Sequence, residues 1–256
     1  MKKILLVGGD SFSDQNYSGN FTGPAFKKEK YITSWPVLLA ERLDMELVCL
    51  AQSGAGNEQI YSSILDYISV RGSDNIGMVL AGWSKCERID FERPGTNKWH
   101  NTRVSPKGNV HSWIRKSIRN FYSLQLLCEH FNIPLKQFQM ISLFNDYITE
   151  YTSNDDYESV RLDCLNSISQ SPQFDLIDKS TFIGWPIYKE EEGFVVADVT
   201  VHLNWKVYNK LANRIKDSTY YKAGRKANQK YVISDKDPHP NQEGHKLLSE
   251  FIYENL

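Results

Sequence analysis

The sequence predicts an α/β chain built around a central, mostly parallel sheet. Two observations carry this expectation. Between Lys3 and Ala81, short apolar runs closed by glycine or polar turns alternate with stretches of helical periodicity, the pattern of right-handed βαβ crossovers. The runs are also apolar without alternation, as expected of strands covered on both faces.

In chain order, Lys3 to Val7 reads as the first strand, stopped by Gly8-Gly9. Ser34-Trp35-Pro36 supplies a cap and an early proline, and Trp35, Leu38, Leu39 and Leu43 recur at helical spacing, giving the first crossover helix. Met45 to Leu50 is a second strand. Gln52 to Asn57 is a turn into a helix whose Ile60, Ile64 and Ile68 share a face, and Ile76 to Ala81 is a third strand. Charges, prolines and glycines over residues 85 to 111 break the rhythm and predict an irregular insertion. From Ser112, the positions Ile114, Ile118, Phe121, Leu124, Cys128 and Phe131 mark a long amphipathic helix, and Gln137 to Leu143 a fourth strand. Tyr157, Val160, Cys164 and Ile168 suggest another helix. Residues 170 to 235 lack periodicity apart from a short candidate strand at Phe194 to Val199. A terminal helix begins near Gln242, with Leu247, Leu248, Phe251 and Ile252 on its buried stripe. The expectation is one domain over residues 1 to 256, with insertions at about 85 to 111 and 170 to 235.

Thirty Lys and Arg against 31 Asp and Glu leave a formal charge of −1, which offers no global field for a polyanion, so no nucleic acid partner is expected. Cys49, Cys86, Cys128 and Cys164 form no C-x-x-C pair and read as buried free thiols. The apolar run Ile4 to Val7 is too short for a signal-peptide core, and no stretch approaches a membrane span. A cytoplasmic location follows, unless the chain leaves within an assembly or by lysis. The sequence is silent on oligomeric state.

In parallel sheets ligands gather at the carboxyl ends of strands, where Ser11, Gly54 and Gly82 all fall. Ser11, in Gly9-Asp10-Ser11-Phe12-Ser13, is a candidate nucleophile. His239 and Asp237, in Asp237-Pro238-His239-Pro240-Asn241, are the candidate base and its carboxylate partner, and the amides of Ser11 and Gly54 are candidate oxyanion donors. The same residues admit plainer readings. Asp10-Ser11 suits a polar or phosphate-cradling turn, Gly54 and Asn57 suit a tight turn and helix cap, and Asp237, His239 and His245 suit a metal site. The two prolines stiffen the loop around His239 and favour a dyad, with His245 structural. Neither the Walker nor the G-x-G-x-x-G pattern is present, and the G-x-S-x-G elbow fails at Ser13.

Taken together, Gly9-Asp10-Ser11-Phe12-Ser13, the Gly54 block Ser53-Gly54-Ala55-Gly56-Asn57, and Asp237-Pro238-His239-Pro240-Asn241 followed by Gly244-His245 resemble blocks I, II and V of the SGNH (GDSL) hydrolase superfamily. The resemblance covers both ends of the chain and leaves residues 85 to 235 unassigned. It implies a flavodoxin-like three-layer α/β/α fold and ester hydrolysis through an acyl-enzyme, with no cofactor and no metal. It also implies Ser11 as nucleophile and amide donor, Gly54 as second donor, His239 as base and Asp237 as its partner.

This chain departs from the family in two places. Gly82-Trp83-Ser84-Lys85 stands where Gly-x-Asn-Asp is usual, so Ser84 takes the place of the third oxyanion donor. Divergent members, phage-encoded ones included, share this Gly-Trp-Ser form with a following arginine, here Arg88. Asp237 precedes His239 by two residues rather than three, which leaves Asp235 as an alternative. Trp83, Arg88 and Asn57 are the candidate substrate contacts.

Trp83, Trp99, His100, Arg103, His111 and Trp113 mix aromatic and polar groups suited to sugar faces or to ordinary loop packing. Residues 206 to 230 hold eight Lys or Arg and one acid, Asp217, and read as a solvated basic face or a seat for an anionic polymer. The expected activity is a serine esterase acting on a small acyl ester, an O-acetylated carbohydrate above all. Its rivals are a non-catalytic binding module whose oxyanion hole has decayed at Ser84, and a metal-dependent phosphoesterase using Asp10, Asp237 and His239.

Overall fold

Leu5, Leu6 and Val7 have no exposed surface, as an apolar run without alternation requires, and they form the middle of β1 (Ile4–Gly8). In the computed structural model, which describes residues 2–17, 32–95, 98–103, 109–144, 156–188, 192–197, 231–234 and 237–256, this strand lies inside a five-stranded sheet. Its partners are β2 (Glu46–Cys49) and β3 (Ile76–Trp83), followed outward by β6 (Leu135–Gln139) and β7 (Phe182–Ile183), in the order β2-β1-β3-β6-β7 with every pair parallel.

Helices cover both faces. Ile60, Ile64 and Ile68 of α2 (Asn57–Arg71) and Ile114, Ile118, Phe121 and Leu124 of α3 (Val110–His130) pack with Leu6, Val79 and Ala81 on one side, where α4 (Tyr157–Ser169) adds Cys164 and Ile168. Trp35 and Leu39 of α1 (Trp35–Arg42), with Leu248 and Ile252 of α5 (Gln242–Glu254), pack with Leu5, Val7, Leu80 and Phe138 on the other. Each fully buried Val, Leu, Ile or Phe among them contributes roughly 1.5–3 kcal/mol. This is the three-layer α/β/α sandwich expected from the sequence.

Four expectations need correction. Residues 85 to 111 contain an antiparallel hairpin, β4 (Arg88–Arg93) and β5 (Lys98–Arg103), with Arg88 opposite Arg103. Its charged positions hid it from a search for apolar runs. The strand expected over Gln137 to Leu143 runs instead over Leu135–Gln139, and its polar members lie fully buried: Gln137 Oε1 accepts from Trp83 Nε1 at 3.0 Å and Gln139 Nε2 donates to the Ser84 carbonyl at 2.8 Å. Phe194 and Val195 have no regular structure and Val196 and Ala197 form a turn where a strand was expected, although the Val196 and Ala197 amides bond the Gln139 and Met140 carbonyls. Asp198 and Val199 lie outside the described residues. The segment around His239 is a short ladder of β8 (Val232–Ser234) and β9 (Asp237–Pro240) rather than a loop.

Helix starts explain two buried polar groups. Ser34 occupies the N-cap of α1 but its hydroxyl makes no cap bond; the Trp35 amide is met instead by His245 Nδ1, at 3.2 Å. Burial, and then the nearby His239, lower the His245 pKa to about 4. The folded protein therefore stays neutral at this position until about pH 4, while the unfolded chain takes up its proton near pH 6.5. Stability is expected to fall by about 3 kcal/mol as pH drops through that window. Urea midpoints at pH 7.5 and 4.5 should show this loss, and His245→Asn, which retains an acceptor, should flatten it.

At α2 the cap comes from the hairpin. Asp90 Oδ1 accepts from the Gly56 amide at 2.9 Å and Oδ2 from the Gln59 amide at 3.0 Å. Burial raises the Asp90 pKa, and the two amides oppose that rise. A Cβ on Gly56 would lie 2.5 Å from Asp90 Oδ2 and 2.8 Å from Arg88 Cβ, so only glycine admits the hairpin this close. All four cysteines are free, and burial raises their thiol pKa values, Cys128 and Cys164 to about 12. No helix among the described residues is long and apolar enough to cross a membrane.

Candidate active site

The turn after β1 is wound by its own side chain. Asp10 Oδ1 accepts from the Phe12 amide at 3.0 Å, and the Asp10 carbonyl accepts from the Ser13 and Asp14 amides, which brings Ser11 to the carboxyl edge of the sheet. The turn after β2 is bound to it: the Gln52 amide donates to the Gly9 carbonyl at 3.1 Å, and the Ser53 amide to Asp14 Oδ2 at 3.0 Å. Gly54 follows at φ +86°, a conformation that glycine adopts without strain.

β9 brings His239 to the same edge across 228 residues of sequence. Its Nε2 lies 2.7 Å from Ser11 Oγ, and its Nδ1 lies 2.9 Å from the Tyr17 hydroxyl. One tautomer satisfies both bonds: Ser11 donates to Nε2 while Nδ1–H donates to Tyr17 Oη. The imidazole also packs on two rings, with centroids 4.5 Å from Phe12 and 4.1 Å from Tyr17. Such faces favour a ring that becomes cationic during proton transfer.

Asp237 begins β9, paired through its backbone with Ser234; its side chain, like Asp235 and the basic stretch 206 to 230, lies outside the described residues. Tyr17 was not anticipated, and no local motif announces a contact made across 222 residues.

Ser84 lies at the expected strand end, but its hydroxyl is directed elsewhere. With no exposed surface, it donates to Asp10 Oδ2 at 3.0 Å and accepts from Arg88 Nη1 at 2.7 Å. Its single proton is thus directed at a carboxylate. Trp83 is fully buried against Phe121, and Asn57 is buried with its amide holding the Ser84 backbone and Ser117 Oγ. Neither offers a face to substrate. Arg88 pairs with the fully buried Asp10 at 3.2 Å. Among the described residues no group of three or more His, Cys, Asp or Glu is arranged to hold a metal ion.

The aromatic cluster around the hairpin does not assemble as one surface. Trp113 packs on the core, and His111 Nδ1 bonds Ser167 Oγ in a polar cavity of about 490 Å³ between α3 and α4. Phe91 and His100 stack across the hairpin with centroids 6.1 Å apart, Phe91 being exposed, while half-buried Trp99 pairs with Glu92 and so faces the other side of the hairpin. The Arg103 side chain lies outside the described residues.

No protein-family model matches the chain, and no curated protein matches it. Solved structures similar to it include the lipase Lip_vut3 from a goat rumen metagenome, at 11% identity and TM-score 0.46, covering 100% of this chain and 97% of that one. The psychrotrophic esterase EstA from Pseudoalteromonas sp. is 13% identical with TM-score 0.43, covering 99% and 96%. A protein of the G-D-S-L family from Desulfitobacterium hafniense DCB-2, provisionally assigned as lipolytic, is 15% identical with TM-score 0.44, covering 99% of both chains. What the site can do chemically is therefore read from its own geometry.

Proposed function

We propose that this chain is a serine esterase of the SGNH type that removes a small acyl group, acetyl above all, from a carbohydrate. The observation that carries the reading is the 2.7 Å contact of His239 Nε2 with Ser11 Oγ at the carboxyl edge of a parallel sheet. Ser11 Oγ attacks the acyl carbonyl and passes its proton to His239 Nε2. The Ser11 and Gly54 amides receive the oxyanion, and the imidazolium returns the proton to the departing alcohol. Water, deprotonated by the same imidazole, then releases the acid from the acyl-enzyme. Asp237 is assigned the role of neutralising the imidazolium. Exposed Phe91, stacked on His100 across a hairpin anchored beside the Gly54 turn, supports a sugar as the alcohol half.

A fluorophosphonate probe tests this. Labelling at Ser11, lost in Ser11→Ala together with hydrolysis of p-nitrophenyl acetate, is the expected result. Hydrolysis that survives in Ser11→Ala sinks the assignment. The commitment of the Ser84 proton to Asp10 favours one alternative, a binding module that keeps the fold without turnover, and absence of labelling in the intact protein would select it.

A further inference from the structure

Arg88 Nη1 has three acceptors: Ser84 Oγ at 2.7 Å, the Ala55 carbonyl at 2.8 Å and Asp10 Oδ2 at 3.2 Å. Asp10 directly precedes Ser11, and Ala55 directly follows Gly54. One guanidinium nitrogen therefore bridges the two turns whose amides receive the oxyanion in the proposed mechanism. Two residues further along the same strand, Asp90 holds the Gly56 amide, so the hairpin grips the 54–56 segment at a carbonyl and at the next amide.

From this we infer that Arg88 is the positioning residue of the oxyanion hole, doing for this chain what a third donor would otherwise do. The inference rests on the esterase reading. Its physical basis is twofold. Amides stabilise a developing oxyanion only if they are fixed in advance, and the bridge fixes both turns to one planar group. The Asp10 carboxylate, fully buried next to the nucleophile, would also repel the negative charge that forms on the substrate; Arg88 cancels that field at its source. Ser84 completes the clamp by donating to Asp10 and accepting from Arg88, which explains a serine at this strand end without assigning it to the substrate.

The test compares wild type, Arg88→Met and Arg88→Lys with p-nitrophenyl acetate as substrate and phenylboronic acid as an inhibitor whose tetrahedral adduct occupies the oxyanion hole. Arg88→Met is expected to lower kcat about 100-fold with KM within threefold, and to weaken boronate inhibition by the same factor as kcat/KM. Arg88→Lys, which keeps the charge but not the planar fork, should lose about tenfold in kcat and decides the matter if the Met variant does not fold. Either folded variant with kcat within threefold of wild type, or with a loss confined to KM, overturns the inference. A wild-type protein that the fluorophosphonate leaves unlabelled overturns the esterase reading as well, and that result is distinct because it precedes any change at Arg88.

Discussion

His239→Ala is expected to lower kcat for p-nitrophenyl acetate by about 10⁴-fold or more while leaving the fold intact. The imidazole is the group in contact with Ser11 Oγ, and without it the hydroxyl proton has no acceptor there. Its removal should be tolerated structurally. The ring is only partly buried, its backbone belongs to the β8–β9 ladder, and the sheet core is formed by other residues. Circular dichroism and the urea midpoint should therefore stay near wild type while turnover and fluorophosphonate labelling disappear. Retained labelling would remove His239 from the mechanism. Two further variants test what supports the imidazolium. A neutral phenol orients the ring but cannot neutralise an imidazolium, so Tyr17→Phe is expected to cost less than about tenfold in kcat, and Asp237→Asn far more, towards the 10⁴-fold seen when a triad carboxylate becomes an amide. The reverse order would make Tyr17 the orienting residue.

The parts of this molecule legible in its sequence are those where one chemical property repeats locally. β1, β3, α2, α3 and α5 announce themselves through apolar runs or a 3.6-residue stripe, and most of those positions are buried, although Phe131 is exposed at the end of α3 and Leu247 and Phe251 of α5 are half-buried. The hairpin escaped, and β6 was bounded too late, because polar residues occupy strand positions. In the hairpin they serve other elements, as Asp90 does for α2, and in β6 the buried Gln137 and Gln139 satisfy the region where β3 ends. β7 spans two residues, too few for any period. Ser11 and His239 could be paired because turn residues and a Pro-His-Pro segment mark them out. The partners that decide what each group does lie far off in sequence: Tyr17 on His239, Arg88 on Asp10, and Asn57 on Ser84. Position in a motif placed Ser84 at the right strand end; the direction of its hydroxyl was set by a carboxylate 74 residues away.

Asp10→Ala should be among the most destabilising substitutions in the described residues, at about 3–5 kcal/mol. Asp10 is fully buried and accepts from the Phe12 amide, Ser84 Oγ and Arg88 Nη1. Alanine leaves the guanidinium mostly buried without its counter-charge, and it orphans the Phe12 amide that shapes the nucleophile turn. A lower urea midpoint at unchanged m would register the cost. Asp10→Asn keeps an acceptor for Phe12 and should lose less. The informative comparison is the double variant Asp10→Leu with Arg88→Met. Removing both charges abolishes the unpaired cation, so stability is expected to recover by several kcal/mol relative to Asp10→Ala, since buried pairs are often replaceable by apolar groups. Turnover should not recover with it, because the bridge between the Ser11 and Gly54 turns is gone. If both returned together, the ion pair would serve the fold alone. Stability regained without activity would assign the pair to catalysis, and would explain why a charge pair whose desolvation costs stability stands beside the nucleophile.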